Sequence, residues 1–183
     1  MYEVELKVRA DHGAVRDRLE ELGADRDERL YQEDTYYNAP DRDFAETDEA
    51  LRIRRVRPGG VDDEEATARV TYKGPLLEAE SKSREEFETG VDNGETMDRI
   101  LQGLGYDPTA TVSKDRETYS LDGYTVTLDS VEGLDEFVEV ETEIESADIE
   151  DARDGGRAVL DRLGLDPDEQ IQTSYLGLLL AEK

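Results

Sequence analysis

The feature that most constrains this chain is a two-residue alternation in which one side of a strand is charged and the other apolar. It opens at the N-terminus, where Glu3, Glu5, Lys7 and Arg9 interleave with Val4, Leu6 and Val8. Successive side chains of a strand point to opposite faces, so this pattern collects all its charge on one face. One such strand is ordinary, because a half-buried strand turns its charged face to water. The pattern, however, keeps returning. Arg52 and Arg54 share a face beside Leu51 and Ile53, Arg69, Thr71 and Lys73 alternate with Val70 and Tyr72, and Lys82, Arg84, Glu86 and Glu88 have common parity. Lys114, Arg116 and Thr118 alternate with Asp115 and Glu117, and Thr125, Thr127 and Asp129 oppose Val126 and Leu128. Glu139, Glu141 and Glu143 oppose Val138, Val140 and Ile144. With Leu30 to Tyr37, where Gln32, Asp34 and Tyr36 share parity, there are eight candidate strands, the number at which a closed barrel can hold one small ligand.

Positive charge is scarce in this chain, so its placement is informative. There are 22 Lys and Arg against 49 Asp and Glu, a formal charge of −27. Ten of those 22 lie on the polar strand faces: Lys7, Arg9, Arg52, Arg54, Arg69, Lys73, Lys82, Arg84, Lys114 and Arg116. The chain has only 5 lysines, and all four non-terminal ones are in this group. An interior site for a polyanion accounts for this placement better than surface solvation does. The acidic excess argues against an outer surface that grips nucleic acid or anionic lipid, since both need clustered external Lys and Arg. At 36% hydrophobic and 39% charged residues the composition raises the question of disorder, but ordered alternation over most of the chain answers it. Self-repulsion among so many carboxylates is relieved at high ionic strength, which points to a salt-accumulating, halophilic host.

Helical spacing between the strands supplies cover for their apolar faces. Val15, Leu19 and Leu22 precede Gly23, and Met97, Ile100, Leu101 and Leu104 precede Gly105, with each glycine suited to a C-terminal cap. Ile149, Val159 and Leu163 suggest a third helix broken at Gly155-Gly156, and Tyr175 to Leu180 reads as a short apolar final helix. Ordinary core packing is the expected role of these apolar positions. Pro58-Gly59-Gly60 with the acidic run that follows reads as a solvated, mobile loop. No internal repeat or linker is visible, and 183 residues suit a single domain spanning 1–183. No apolar run approaches a membrane span and Met1 leads directly into a charged strand, so a cytoplasmic protein is expected. Without cysteine there are no disulfides, thiolate metal sites or cysteine nucleophiles. His12, the only histidine, falls at a helix start and is expected to be exposed and without a role.

Carboxylate pairs at i and i+2 occur near both ends of the chain. If the first and last strands are neighbours, Glu3 and Glu5 meet Glu139 and Glu141, with Asp129 at matching parity. Oxygen ligands suit Mg²⁺ or Mn²⁺, which keep several waters and bind substrate phosphates. Arginine forks and lysine point charges suit a multiply charged phosphate chain. No Walker loop or dinucleotide-binding glycine fingerprint is present.

The opening Glu3-Val4-Glu5-Leu6-Lys7 resembles the Glu-x-Glu-x-Lys signature of the CYTH superfamily, the triphosphate tunnel metalloenzymes. The resemblance continues through Asp34-Thr35-Tyr36-Tyr37, Leu51-Arg52-Ile53-Arg54, Thr71-Tyr72-Lys73-Gly74-Pro75, Arg84-Glu85-Glu86 and Val112-Ser113-Lys114-Asp115-Arg116. It ends with the stretch from Leu128 to Leu134, Phe137-Val138-Glu139-Val140-Glu141 and Ser174-Tyr175-Leu176. It implies an α+β fold, an eight-stranded antiparallel β-barrel forming a triphosphate tunnel, with helices packed on the outside. By motif position it implies metal ligation by Glu3, Glu5, Glu139 and Glu141 with Asp129 nearby, and phosphate binding by Lys7, Arg52, Arg54, Lys73, Arg84, Lys114 and Arg116. Arg9, Arg69 and Lys82 are less firmly placed.

Several motifs look most like the CyaB-type class IV adenylate cyclases, which convert ATP to cyclic AMP and pyrophosphate. Asp34 to Tyr37 and the complete Glu139/Glu141 pair are similar to thiamine triphosphatases, an analogy that makes Lys7 and Tyr36 a polarising pair. Tyr36 reads equally as a packed aromatic beside a strand. The implied readings are a CyaB-like cyclase, an inorganic or thiamine triphosphatase, or a non-catalytic module that binds nucleotide or polyphosphate. Each takes a triphosphate partner, and the relatives allow a homodimer.

Overall fold

The computed structural model describes residues 2–64, 66–78, 83–145 and 148–182. In chain order the elements are β1 (Tyr2–Arg9), α1 (His12–Glu21), β2 (Asp25–Asn38), α2 (Phe44–Thr47), β3 (Ala50–Arg57), β4 (Thr67–Glu78) and β5 (Ser83–Val91). They continue with α3 (Gly94–Gly103), β6 (Asp107–Leu121), β7 (Tyr124–Val131), β8 (Glu136–Ile144), α4 (Ile149–Arg162), a 3₁₀ turn (Pro167–Glu169) and α5 (Tyr175–Ala181). The strands form one eight-stranded sheet in the order β1-β8-β7-β6-β2-β3-β4-β5. The pairings given below are all antiparallel, so the α+β class and the eight antiparallel strands expected from the sequence are present. No described helix is long and apolar enough to cross a membrane.

Tertiary contacts divide the chain into two compact units, Met1–Arg29 with Lys114–Lys183, and Leu30–Ser113. In the first unit a tight hairpin sets the register. Asp122 and Gly123 both take positive φ, 50° and 82°, the conformation of a two-residue turn whose twist matches that of its strands. Leu121 therefore faces Tyr124, and every later pair follows, including Arg116 opposite Asp129. Next along the sheet, Glu141 faces Thr125 and Glu139 faces Thr127, and β1 then places Glu5 opposite Glu141 and Lys7 opposite Glu139. Directly paired residues share a face, so the charge that alternation collected on separate strands lies on one side of this sheet.

The other side carries the core. Leu6, Val8, Val126, Leu128, Val138 and Val140 are nearly inaccessible and pack against Val15 and Leu19 of α1 and Val159 and Leu160 of α4. Burying each such side chain stabilises by about 1.5–3 kcal/mol. Helix α1 is capped by Asp11, whose carboxylate accepts from Ala14 N–H, and the chain leaves it through Gly23 at φ 73°. Helix α4 is continuous, whereas a break at Gly155-Gly156 was expected. The glycines serve close approach instead: a Cβ at Gly155 would strike the Tyr124 hydroxyl, and one at Gly156 would lie 2.9 Å from Leu6 Cδ1. His12 is also not exposed as expected. It is 3% accessible, its Nε2 is 2.9 Å from the Phe137 carbonyl, and its backbone N–H donates to Glu136, so it ties the start of α1 to β8.

The second unit has a smaller core in which Tyr37, Ile53, Ala68 and Leu101 are buried, with Leu51, Val91, Met97 and Tyr106 packed against them. Helix α3 is capped by Asn93, which accepts from Thr96 N–H. Only part of its apolar run reaches the core, since Ile100 and Leu104 are exposed. β2 and β6 are longer than alternation indicated, and each contributes residues to both units.

Candidate active site

In the first unit three carboxylates converge by strand register. Glu3 and Glu5 stand on one face of β1, and Glu141 is paired with Glu5. One oxygen from each of the three lies within 4.8 Å of the others. Burial, then the neighbouring Glu3, with further help from Glu139 and Glu5, raises the Glu141 carboxyl to about 7 against the opposing pull of Arg116. Like charges held this close disfavour ionisation, and a cation among them would reverse that. The polar face of this unit carries Lys7, Lys114 and Arg116 against Glu3, Glu5, Asp129, Glu139 and Glu141. The donor set, all carboxylate oxygen, fits Mg²⁺ or Mn²⁺.

Asp129 and Glu139 are engaged differently. Asp129 is fully buried and accepts both arms of Arg116, Nε at 2.7 Å and Nη2 at 2.6 Å, together with the Tyr175 hydroxyl at 2.8 Å. Lys114 Nζ lies 4.0 Å away. Burial opposes the Asp129 charge, but Arg116 and Lys114 more than offset it and hold the carboxyl at about 2. The same Arg116 Nη2 donates to Glu139 at 3.1 Å. The structure thus groups Glu3, Glu5 and Glu141, while Asp129 accepts from Arg116 with Lys114 nearby and Glu139 accepts from Arg116. Lys7 and Lys114 are each 5% exposed, so both ammonium groups are withdrawn from solvent. Arg9 lies apart from this cluster, paired with Asp135 at the surface.

The second unit carries a mainly basic face. Asp34 is paired with Arg54 and Tyr36 with Arg52, and across β4 Thr71 faces Arg52 and Arg69 faces Arg54. Asp34 is 1% exposed and accepts Arg54 through two bonds of 2.7 and 2.8 Å, with Arg52 Nη1 3.8 Å away. Glu88 accepts from Arg69 and from the Thr71 hydroxyl, both at 2.8 Å, and Lys73 lies 3.4 Å from Glu86. Among the described residues, Arg52 Nε and Gln32 Oε1 are the buried side-chain polar atoms without a hydrogen-bond partner. Burial, then Asp34, raises the Tyr36 phenol against the opposing pull of Arg52 and Arg54, so it stays protonated. Lys7 belongs to the first unit and Tyr36 to the second. Lys82 and the side chain of Arg84 lie outside the described residues, and the Arg84 backbone is paired with Leu76.

Alternation identified these faces, but Tyr175 was visible only as part of a motif and as an apolar helical residue. Glu88 and Asp34 had the right parity without an assigned role. Asp34 lies directly opposite Arg54, whereas Glu88 lies opposite Thr71 and reaches Arg69 on the diagonal, relations that become readable once the register is known.

A family model described as CYTH domain matches residues 1–175. A Methanocaldococcus jannaschii protein named "Putative adenylate cyclase MJ0240" is 39% identical over 180 residues, 97% of this chain and 98% of that protein. The solved structure of the PH1819 protein from Pyrococcus horikoshii OT3 has a TM-score of 0.86 at 37% identity and covers 100% of both chains. A Hippeastrum protein is described as "Putative adenylyl cyclase HpAC1", which "reveals a dominant triphophatase activity". It matches in fold at TM-score 0.71 and 18% identity, over 99% of this chain and 95% of that one. With the model spanning nearly the whole sequence and a relative this similar along its length, the chain belongs to the CYTH domain family.

Proposed function

We propose that this protein is a class IV adenylate cyclase that converts ATP to cyclic AMP and pyrophosphate. The observation that carries the reading is the carboxylate triad of Glu3, Glu5 and Glu141 on the same sheet face as the buried Lys7 and Lys114 and the half-buried Arg116. This pairing suits a substrate that arrives as a metal-bound polyphosphate. The name of the Methanocaldococcus relative supports the cyclase branch. Glu3, Glu5 and Glu141 would hold Mg²⁺ or Mn²⁺, with Glu139 and Asp129 beside them, and the ion would supply charge neutralisation at the phosphate oxygens. Lys7, Lys114 and Arg116 of the first unit, and Arg52, Arg54, Lys73 and Arg84 of the second, form the proposed phosphate-binding set. The ribose 3′-hydroxyl oxygen bonds to the α-phosphorus as the bond from that phosphorus to the bridging oxygen breaks; pyrophosphate leaves and the hydroxyl proton passes to solvent. Such a transfer needs positioning and charge stabilisation rather than a covalent nucleophile.

A second reading, hydrolysis of the terminal phosphate of an inorganic or thiamine triphosphate, has its own support. The Tyr36 phenol stays protonated beside Arg52 and so can donate to a phosphate oxygen, and the Hippeastrum relative is described as a triphosphatase. Lys7 and Tyr36 are the proposed polarising residues on this reading. The test incubates the protein in molar KCl with Mg²⁺ or Mn²⁺ and, separately, ATP, inorganic triphosphate and thiamine triphosphate. Cyclic AMP with equimolar pyrophosphate, lost in Glu5→Ala, is the expected result. Orthophosphate with a diphosphate product replaces the cyclase by the triphosphatase, and tight triphosphate binding without turnover replaces both by a binding module.

A further inference from the structure

Tyr175 begins α5 and is buried, yet its polar end meets charge rather than the apolar core. Its hydroxyl donates to Asp129 Oδ2 at 2.8 Å, and its ring centroid is 5.0 Å from that of Phe137 at an angle of 57°. Lys7 Nζ stands 4.4 Å from the ring centroid and Lys114 Nζ stands 4.9 Å from it. A single ring thus touches two lysines from β1 and β6, strands separated in the sheet by β8 and β7. Two ammonium groups that share one ring repel each other, and with both withdrawn from water little solvent screens them. An aromatic face offers each a negative quadrupole, and the hydroxyl grips the carboxylate that also faces Lys114 and Arg116.

The approach of the chain to this point is fixed. Ile171 N–H donates to the Lys7 carbonyl at 2.7 Å, and Ser174 Oγ accepts from Gly177 N–H at 3.1 Å as the cap of α5. From Tyr175 to Ala181 that helix holds no basic residue, so it brings no phosphate ligand of its own.

We propose that Tyr175 is a positioning residue of the phosphate-binding centre, holding Lys7, Lys114 and Asp129 in fixed relation so that the C-terminal helix governs affinity for a triphosphate. The proposal deepens the functional reading above and rests on it for the identity of the ligand. With 5 lysines in the chain, isotope-labelled lysine gives an NMR spectrum simple enough to follow each side chain, assigned with Lys7→Arg and Lys114→Arg. The Lys7 and Lys114 methylene signals are expected upfield of the others through the ring current, unchanged in Tyr175→Phe and lost in Tyr175→Leu. Calorimetry with inorganic triphosphate and Mg²⁺ should show Tyr175→Leu weaker by about tenfold or more, and Tyr175→Phe between Tyr175→Leu and the parent, since it keeps both ring contacts but loses the hydroxyl bond to Asp129.

Equal affinity in Tyr175→Leu and the parent overturns the proposal. Lysine signals in the parent protein without ring-current displacement overturn it on their own, whatever the variants do. If the parent binds no triphosphate the functional reading fails, and the lysine signals still decide whether Tyr175 positions the two side chains.

Discussion

Replacing Asp129 by Asn tests whether that carboxylate holds the site together from beneath. The substitution preserves shape but removes the charge that accepts Arg116 at 2.6 and 2.7 Å and faces Lys114 at 4.0 Å. Removing one partner of a buried ion pair costs about 3–5 kcal/mol, chiefly because the remaining charge stays desolvated. Here Glu139 still accepts from Arg116 at 3.1 Å, which reduces the expected loss to about 2–4 kcal/mol. For a chain of 183 residues each kcal/mol moves the midpoint by about 2–4 °C, so Asp129→Asn should melt about 5–15 °C below the parent. Urea unfolding at constant KCl is the assay, since guanidinium would screen the charges under test. Arg116→Met and the double variant complete a cycle in which the double costs less than the sum of the singles by about 1–3 kcal/mol. A loss under about 1 kcal/mol in Asp129→Asn, or costs that add within about 0.5 kcal/mol, would refute the buried-pair account.

Two further outcomes follow from the charges. Because Glu141 titrates near pH 7 and must lose its proton to ligate a cation, Mg²⁺ affinity should fall up to about tenfold per pH unit below 7 and level off above 8, with proton release on binding seen by calorimetry in buffers of different ionisation enthalpy. Its raised carboxyl also means that, in metal-free protein, its contribution to stability is full below the ordinary value of 4.5 and is lost as pH climbs through 7; a pH-independent Mg²⁺ affinity contradicts both statements. With a net charge of −27, the urea midpoint should rise as KCl goes from about 0.1 M to 1 M and the Debye length shrinks from about 10 Å to about 3 Å, and an unchanged midpoint would remove the halophile reading.

Much of the fold was legible because strands advertise themselves by a period of two, and the polar face of the site is that same period seen from the other side. The meeting of Glu5 with Glu141 needed only that β1 and β8 be neighbours, a condition met by the register. What alternation could not carry is the allocation of partners within a face. Asp129 has the same parity as Thr125 and Thr127, but its engagement with Arg116 depends on the length of the turn at Asp122-Gly123. His12 escaped because burial of a helix start is decided by a distant partner, the Phe137 carbonyl, and no local pattern encodes it. On the opposite face of β6, Glu117 is buried because Arg16 of α1 grips it at 2.9 and 3.0 Å, although alternation alone gives no reason for an acid there. Helix α4 departs from its local pattern for a related reason: Gly-Gly weakens a helix locally, but contact with the sheet overrides that weakness.

That last feature bears on the order in which the molecule assembles. Each glycine in a helix interior costs about 1 kcal/mol relative to alanine, so the isolated segment from Ile149 to Arg162 has little tendency to be helical. The same missing methyl groups let it settle onto Leu6 and Tyr124, which come from strands far apart in sequence that are joined into one surface only when β8 lies between them. The helix can therefore gain its stability only on a completed β1-β8-β7 surface. Its formation is a late event in the folding of the first unit, and amide exchange in α4 reports whether the strand beneath the carboxylate triad is in place.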